Sequence, residues 1–388
     1  MTISAMRPDT LCARAGEQLD RRVGGVTTPI HTASAYMRAD VGGREAYRYP
    51  RYANIPTQVA PAEKIAALEG TNDGLVVSSG MAAEAVALLA VLRAGDHVVF
   101  QADLYGGTHH FLSVELPRQG IARTLVEHAD AASLEDAVRD DTRAVFVETP
   151  SNPLFHVVDL AAVADMAKRR GIVSIADNTF ASPINQNPLA LGFDLVVHSG
   201  TKYLNGHSDL NCGAVAGDSA LMEKVRERAV DYGVTLNVYD CFLLERGMKT
   251  LALRMARHNA NAMALAEFLA GHDMVSRVFY PGLPGHPGHG IAARQMRGFG
   301  GMLSFELDCE PRRARAFVAG LGLVLEAVSL GGVESLICFP SETSHAKMSP
   351  GDRRARGISD TLIRFSAGIE DVEDLMEDME RGFAAARR

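Results

Sequence analysis

The sequence has little that would tie it to a disulfide framework, to nucleic acid or to a membrane. Its five cysteines (Cys12, Cys212, Cys241, Cys309, Cys338) are odd in number, widely scattered and free of any CxxC pair. They read as reduced, mostly structural thiols rather than as a zinc or redox motif. Positive charge is also short. Against 47 Asp and Glu stand 39 Lys and Arg, a net charge of -8, so there is no broad basic field to capture nucleic acid or anionic lipid. Long apolar runs are missing: segments such as Ala85 to Leu92 stop at Arg93, well short of the roughly 20 residues that cross a bilayer. The start, MTISAMRPDTLCARAG, lacks the basic-then-apolar order of an export signal. The thirteen histidines contain no HExxH or comparable ligand spacing, and His109 and His110 are simply adjacent, which makes a metal hydrolase the weakest option. The expectation is a cytoplasmic protein that handles a small molecule.

What is there is an ordinary globular composition, 47% apolar and 22% charged. At 388 residues the chain exceeds one typical core, so a large domain, a smaller one and a cleft between them are expected. Residues 1–58 mix Gly, Pro, Arg and Tyr without sustained periodicity, as in GGVTTPIHTASAY and YRYPRYANIPT, and read as an extended arm that embraces a partner subunit. From about residue 60 a helical stretch, PAEKIAALEG, ends on Gly70, and a second helix, Met81 to Leu92, follows SSGM. Short apolar runs come next: Val98 to Phe100, Ala144 to Glu148, Val173 to Ala176 and Leu195 to Val197. Stretches of helical spacing such as DLAAVADMAKRR separate them, the pattern of parallel strands with helical crossovers. A large domain over 59–245 follows. CFLLERGMKTLALRMARHNANAMALAEFLAGH reads as a helical passage into a smaller α+β domain, 246–388, with strands GMLSFEL, GLVLEAV and LIRFSAG and a closing helix.

In parallel sheets, ligands collect at the carboxyl ends of the strands. Asn152, Asp177, Ser199 and Lys202 all fall there. Lys202, in VVHSGTKYLNGHSD, follows an apolar strand among small hydroxyl residues. An enclosed lysine has a lowered pKa and can attack an aldehyde, while Ser199 and Thr201 offer hydroxyls to a phosphate. Taken alone, it reads equally as a lysine snorkelling from a strand end. Asp177 ends an apolar strand, where burial calls for a cationic partner such as a protonated pyridine nitrogen; alone, it reads equally as a cap. Ser78, Ser79, Gly80 and Met81 open a helix whose free N–H groups suit a phosphate, although Ser before a helix is most often just its N-cap. Tyr105, in DLYGGT, could lie against a cofactor ring or simply pack.

Together, SSGMAA, GDHVVFQADLYGGT, VETPSNP, ADNTFASP, VVHSGTKYLNGHSD, RGMKTLALRM, YPGLPGHPGH, GFGGMLSFEL, VSLGGVESLI and LIRFSAGIEDVEDL resemble the cystathionine γ-synthase-like (Cys/Met metabolism) group of fold-type-I pyridoxal-phosphate enzymes. The resemblance runs through most of the chain. It implies an α/β fold, with a mostly parallel sheet in the large domain, a smaller α+β C-terminal domain, and pyridoxal 5'-phosphate as cofactor. Lys202 is then the Schiff-base lysine and later the proton shuttle. Asp177 holds the pyridine nitrogen. Ser79, Gly80, Met81, Ser199 and Thr201 grip the phosphate; Tyr105 stacks on the ring and Asn152 approaches its 3-oxygen. Arg364 clamps the substrate carboxylate in the bidentate manner of a guanidinium, and Ser329 orients Lys202. Tyr49 and Arg51 match a Tyr-x-Arg pair that reaches a neighbouring subunit's phosphate, which implies a homodimer at least and usually a homotetramer. The chain departs from the family where Asn54, Ile55, Pro56 and Thr57 replace Asn-Pro-Thr.

The implied activity is that of a carbon–sulfur lyase acting by α,γ-elimination on a cystathionine-, methionine- or homocysteine-type amino acid. A γ-replacement synthase is the alternative, since both routes share an intermediate that either hydrolyses to a 2-oxo acid and ammonia or accepts a thiol. Val328 stands where cystathionine enzymes often have a glutamate, as in methionine γ-lyases. Gly107 stands where methionine γ-lyases often have a cysteine, as in cystathionine enzymes. Cys338 and Phe339 replace residues that are polar or His in many relatives. A fold-type-I aminotransferase would share Lys202 and Asp177, but the VSLGGVES turn and the Tyr-x-Arg arm argue against it. A catalytically silent scaffold would be expected to have lost Lys202 or Arg364.

Overall fold

The computed structural model describes residues 6–39, 47–127, 129–346 and 348–388. Two pieces of the expected arm, 1–5 and 40–46, lie outside the described residues. A seven-stranded sheet holds β1 (Asp73–Val77), β2 (His97–Gln101), β3 (Ala122–Val126), β4 (Thr142–Glu148), β5 (Val173–Asp177), β6 (Leu195–Ser199) and β7 (Gly213–Gly217), in the order β1-β7-β6-β5-β4-β2-β3. The four apolar runs read from the sequence are β2, β4, β5 and β6. These pair in parallel, and β3 adds to them in parallel. The alternation does not extend to β7 and β1, which join antiparallel at one edge. Both are five residues long like their neighbours, but GAVAG is built of small residues and DGLVV has only three apolar ones, so neither announces a strand.

The crossover helices start and stop on local signals. Pro56 opens the helix Pro56–Glu69, and Gly70 closes it in the left-handed region. The helix thus begins five residues before the PAEKIAALEG stretch read from the sequence. Ser79 and Asp159 cap Gly80–Val91 and Leu160–Arg170 through their side chains. The central strands are largely buried, and β2 and β7 have no exposed residue, whereas the edge strand β3 exposes Ala122 and Arg123.

The long helical passage is in fact two helices, Val238–Met248 and Leu251–Ala270, separated at Lys249 and Thr250. Beyond them a five-stranded sheet, in the order β10-β11-β12-β9-β8, is built from β8 (Val275–Phe279), β9 (Met302–Leu307), β10 (Leu325–Glu326), β11 (Leu336–Cys338) and β12 (Leu362–Ser366). Its apolar face is covered by the Leu251–Ala270 and Val372–Ala386 helices. GLVLEAV supplies only the two residues of β10. The arm also differs from a purely extended reading: Pro8–Arg14 is a helix that buries Leu11 and Cys12 against the main body. Beyond it the chain is irregular, with Val23, Val26 and Met37 largely exposed. No helix among the described residues is long and apolar enough to cross a membrane.

Candidate active site

The strand ends of the large sheet and the edge of the small one enclose a cavity of about 560 Å³. Parallel pairing sends the carboxyl ends of β4, β5 and β6 to one side, so Glu148, Asp177 and Ser199 open into it. The opposite wall comes from β12, which carries Arg364, and from the turn at Val328, Ser329 and Leu330. Of the residues read from the sequence, eleven line this one cavity: Ser79, Gly80, Met81, Tyr105, Asn152, Asp177, Ser199, Thr201, Lys202, Ser329 and Arg364. Tyr49 and Arg51 do not. Arg51 instead donates to the Val230 carbonyl (3.0 Å) and lies over the Tyr49 and Tyr52 rings on the exposed arm. The unusual Asn54–Thr57 stretch is absorbed locally: Ala53 takes the left-handed conformation, Asn54 accepts from the Tyr49 N–H (2.9 Å), and Ile55 is wholly buried.

Lys202 Nζ donates to Ser329 Oγ at 2.7 Å. Burial, with the Arg364 charge adding to it, lowers the Lys202 pKa to about 8. Ser329 takes a positive φ of 87°, a conformation costly for a residue with a side chain. Arg364, itself buried, donates to Asn152 Oδ1 and to the Ser329 carbonyl, both at 3.3 Å. No carboxylate pairs with it among the described residues. A buried guanidinium with only long contacts to neutral oxygens, facing a cavity, is suited to an incoming carboxylate.

Asp177 Oδ1 accepts the Thr179 N–H at 2.8 Å. Burial raises its pKa, while the Thr179 hydrogen bonds and the His198 charge oppose that rise. His198 is engaged with Glu69 (2.6 Å), and no salt bridge pairs Asp177 among the described residues, so its carboxylate is open to a cationic donor. At the other end of the cavity, Gly80 brings the helix start against β6: a Cβ there would meet Ser199 Cβ at 2.8 Å. The Ser79 hydroxyl accepts from the Ala82 N–H (3.0 Å) as the helix cap and keeps its own O–H to donate. Beside it, the free N–H groups of the first helical turn are open to an anion. Thr201 Oγ1 accepts from the Cys212 N–H (2.9 Å) and lies 2.9 Å from Asn211 Oδ1. An amine of low pKa, a buried carboxylate without a salt-bridge partner and an anion cradle within one cavity fit pyridoxal phosphate.

Tyr105 stands half-exposed at the mouth (48%), its backbone N–H bound to Glu148 Oε2 at 2.7 Å. Gly107 has a physical reason to be glycine, since a Cβ there would lie 2.6 Å from the Tyr105 ring and 2.9 Å from Met81 Sδ. Val328 lines the same mouth and is 65% exposed. The sequence reading missed Glu84 and Glu148. Glu148 carried a signal, a polar residue ending an apolar strand as Asp177 does. Glu84 carried another, a single charge inside the apolar helix Gly80–Val91.

A family model for Cys/Met metabolism PLP-dependent enzymes matches residues 9–384. The chain is 46% identical over 375 residues to a cystathionine beta-lyase of Coxiella burnetii, covering 96% of each chain. It is 44% identical over 381 residues to a cystathionine gamma-synthase of Escherichia coli K12, covering 98% of each. The crystal structure of a cystathionine gamma synthase from Xanthomonas oryzae pv. oryzae, in complex with cystathionine, superposes with a TM-score of 0.94 at 43% identity. That match covers 98% of this chain and 99% of the other.

Proposed function

The chain belongs to the Cys/Met metabolism family of PLP-dependent enzymes, and on that premise we propose that it breaks the Cγ–S bond of a cystathionine-type amino acid by α,γ-elimination. The observation that carries this reading is Lys202: buried, hydrogen-bonded to Ser329, of lowered pKa, and in one cavity with Asp177 and Arg364. γ-Replacement is the second reading, favoured by the 44% identity to a cystathionine gamma-synthase.

Pyridoxal phosphate, when bound, supplies an aldehyde for anchorage and an electron-poor ring that stabilises negative charge at the substrate's α-carbon. The rest is the work of this chain's residues. Near pH 8 about half of Lys202 is the neutral amine, able first to act as a nucleophile and then to take the α-proton. Ser329 holds that amine at one place, because its own backbone is fixed by the Arg364 contact to its carbonyl. Arg364 binds the substrate carboxylate and sets which Cα bond faces Lys202. Asp177, as a carboxylate, is the counter-ion of the ring nitrogen. The N–H groups at Gly80 and Met81, with Ser199 and Thr201, take the phosphate. Tyr105 would cover the ring, and Asn152, already held by Arg364, would serve its 3-oxygen.

Tyr49 and Arg51 serve a neighbouring copy. Their place on an exposed arm, outside their own cavity, supports a homodimer or homotetramer. Five free cysteines fit a reducing, cytoplasmic setting.

The test is an absorption titration of the purified protein with L-cystathionine, L-methionine, L-homocysteine and O-acetyl-L-homoserine, with 2-oxobutanoate assayed in parallel. A cofactor band that shifts together with oxo-acid release establishes elimination. A shift that yields product only when a thiol is added establishes replacement. No band after addition of pyridoxal phosphate overturns the reading.

A further inference from the structure

Asp177 is not the only carboxyl on the cavity floor. Glu84, from the helix Gly80–Val91, and Glu148, at the end of β4, line the same cavity, and all three are buried, at 3%, 4% and 6% exposure for Glu84, Glu148 and Asp177. The cations that share the cavity are Lys202 and Arg364. Neither is within salt-bridge reach of these carboxyls: Lys202 is turned to Ser329, Arg364 to Asn152 and the Ser329 carbonyl. His198, behind Asp177, is engaged with Glu69 at 2.6 Å. Three anions cannot share so dry a space without partners.

Hydrogen bonding divides the roles. Thr179 donates to Asp177 through its backbone N–H, and Tyr105 donates likewise to Glu148 Oε2. Glu84 Oε1 accepts the Thr108 hydroxyl at 2.9 Å, while Glu84 Oε2 is buried with no hydrogen-bond partner among the described residues. A bare oxygen on a buried carboxylate is costly; the same oxygen carrying a proton is a donor in need of an acceptor. Burial and then the neighbouring Asp177 push both glutamates well above the carboxylate range against one hydrogen bond each, from Thr108 and Tyr105; burial raises Asp177 too, but against two hydrogen bonds from Thr179 and the nearby His198. The single negative charge therefore falls on Asp177.

We propose that Glu84 is a positioning residue: a neutral acid whose proton on Oε2 hydrogen-bonds the anionic Asp177, directly or through one water, and so presents a single oriented carboxylate to the ring nitrogen. This rests on the cofactor assignment above and extends it to a residue outside the sequence motifs.

Infrared difference spectroscopy tests it on the cofactor-free full chain. The proton-bearing carboxyl stretch, identified by its shift in D2O, is compared between the parent and Glu84→Gln, and pyridoxal phosphate affinity is then measured for the parent, Glu84→Gln and Glu84→Leu. The expected result is loss of one such band in Glu84→Gln. That variant keeps a neutral donor and holds cofactor nearly as the parent does, whereas Glu84→Leu holds it roughly tenfold more weakly or worse. An unchanged band in Glu84→Gln means that Glu84 is ionised and overturns the proposal. So does a Glu84→Leu variant that binds cofactor as tightly as Glu84→Gln. Should Glu84→Leu fail to fold, the Glu84→Gln band and affinity decide alone. A parent that binds no pyridoxal phosphate fails the functional reading instead, and the band still decides where the proton sits.

Discussion

Ser329 accepts the Lys202 Nζ hydrogen bond at 2.7 Å across 127 residues of chain, and does so from a left-handed backbone. The contact joins the two sheets, since Lys202 follows β6 of the large sheet while Ser329 precedes β11 of the small one. Any shift of one sheet against the other therefore moves the amine.

Lys202→Ala is expected to abolish turnover and covalent anchorage of the cofactor while leaving the fold intact. Absorption and circular dichroism spectra check both points, and a variant that keeps near-parental turnover would refute the assignment.

Burial of the Lys202 amine carries a cost in stability. The folded protein sheds this proton near pH 8, below the ordinary lysine value, whereas the unfolded chain keeps it to higher pH. Between those two values the unfolded state binds more protons, so stability rises with pH; below about 8 both states are charged and the penalty stands in full. Cofactor-free Lys202→Met is accordingly expected to be more stable than the parent at pH 7, by roughly 2 to 3 kcal/mol after allowing for residual exposure. Urea titrations at pH 7 and pH 10 should show that gap closing at the higher pH. A gap that stays constant argues that the amine is not desolvated.

Arg364→Lys keeps the charge but loses the planar fork. The expected outcome is a rise in KM of roughly tenfold to a hundredfold, from loss of one charge-assisted hydrogen bond, with cofactor affinity little changed. Steady-state kinetics against a cofactor titration separate the two, and loss confined to cofactor binding would move Arg364 out of the substrate site.

Gly107→Ala places a methyl group 2.6 Å from the Tyr105 ring. Overpacking of this kind costs about 1 to 3 kcal/mol, and the displaced ring is expected to weaken cofactor binding by a corresponding factor of roughly 5 to 150. Equal affinities in the two proteins would mean that Tyr105 is not part of the cofactor's seat.

Arg51→Ala is expected to loosen cofactor in every subunit of an oligomer, because a charge-assisted phosphate contact is removed. Equilibrium dialysis measures it, with native mass spectrometry reporting the assembly. Unchanged retention in an intact oligomer sinks the cross-subunit role.

Much of the site was legible before any coordinates, for a local reason. Asp177, Ser199 and Lys202 each sit at or just past the end of an apolar strand, and parallel pairing carries strand ends to one side. Tyr105 and Gly107 share a turn, and Gly80 opens a helix, so their neighbourhoods are set within a few residues. Glu84 and Glu148 escaped because a carboxyl in a helix or at a strand end looks the same whether solvated or buried; only the packing of Thr108, Tyr105 and Asp177 around them distinguishes the cases. Similarly, β1 and β7 became strands through their partners, since GAVAG has no intrinsic reason to extend without β6 and β1 on either side.

By itself, then, the sequence determined the crossover pattern, the lysine and its strand-end companions, and through its motifs the family resemblance; these depend on periodicity and on residues near one another in the chain. Only the tertiary structure decided the geometry by which Ser329 holds Lys202, that Arg364 faces Asn152 with no carboxylate partner among the described residues, and that three carboxyls share one dry floor. Each of those depends on which groups lose their water together, and that is fixed by contacts between separate segments, as with Asn152 and Arg364, 212 residues apart and 3.3 Å from each other.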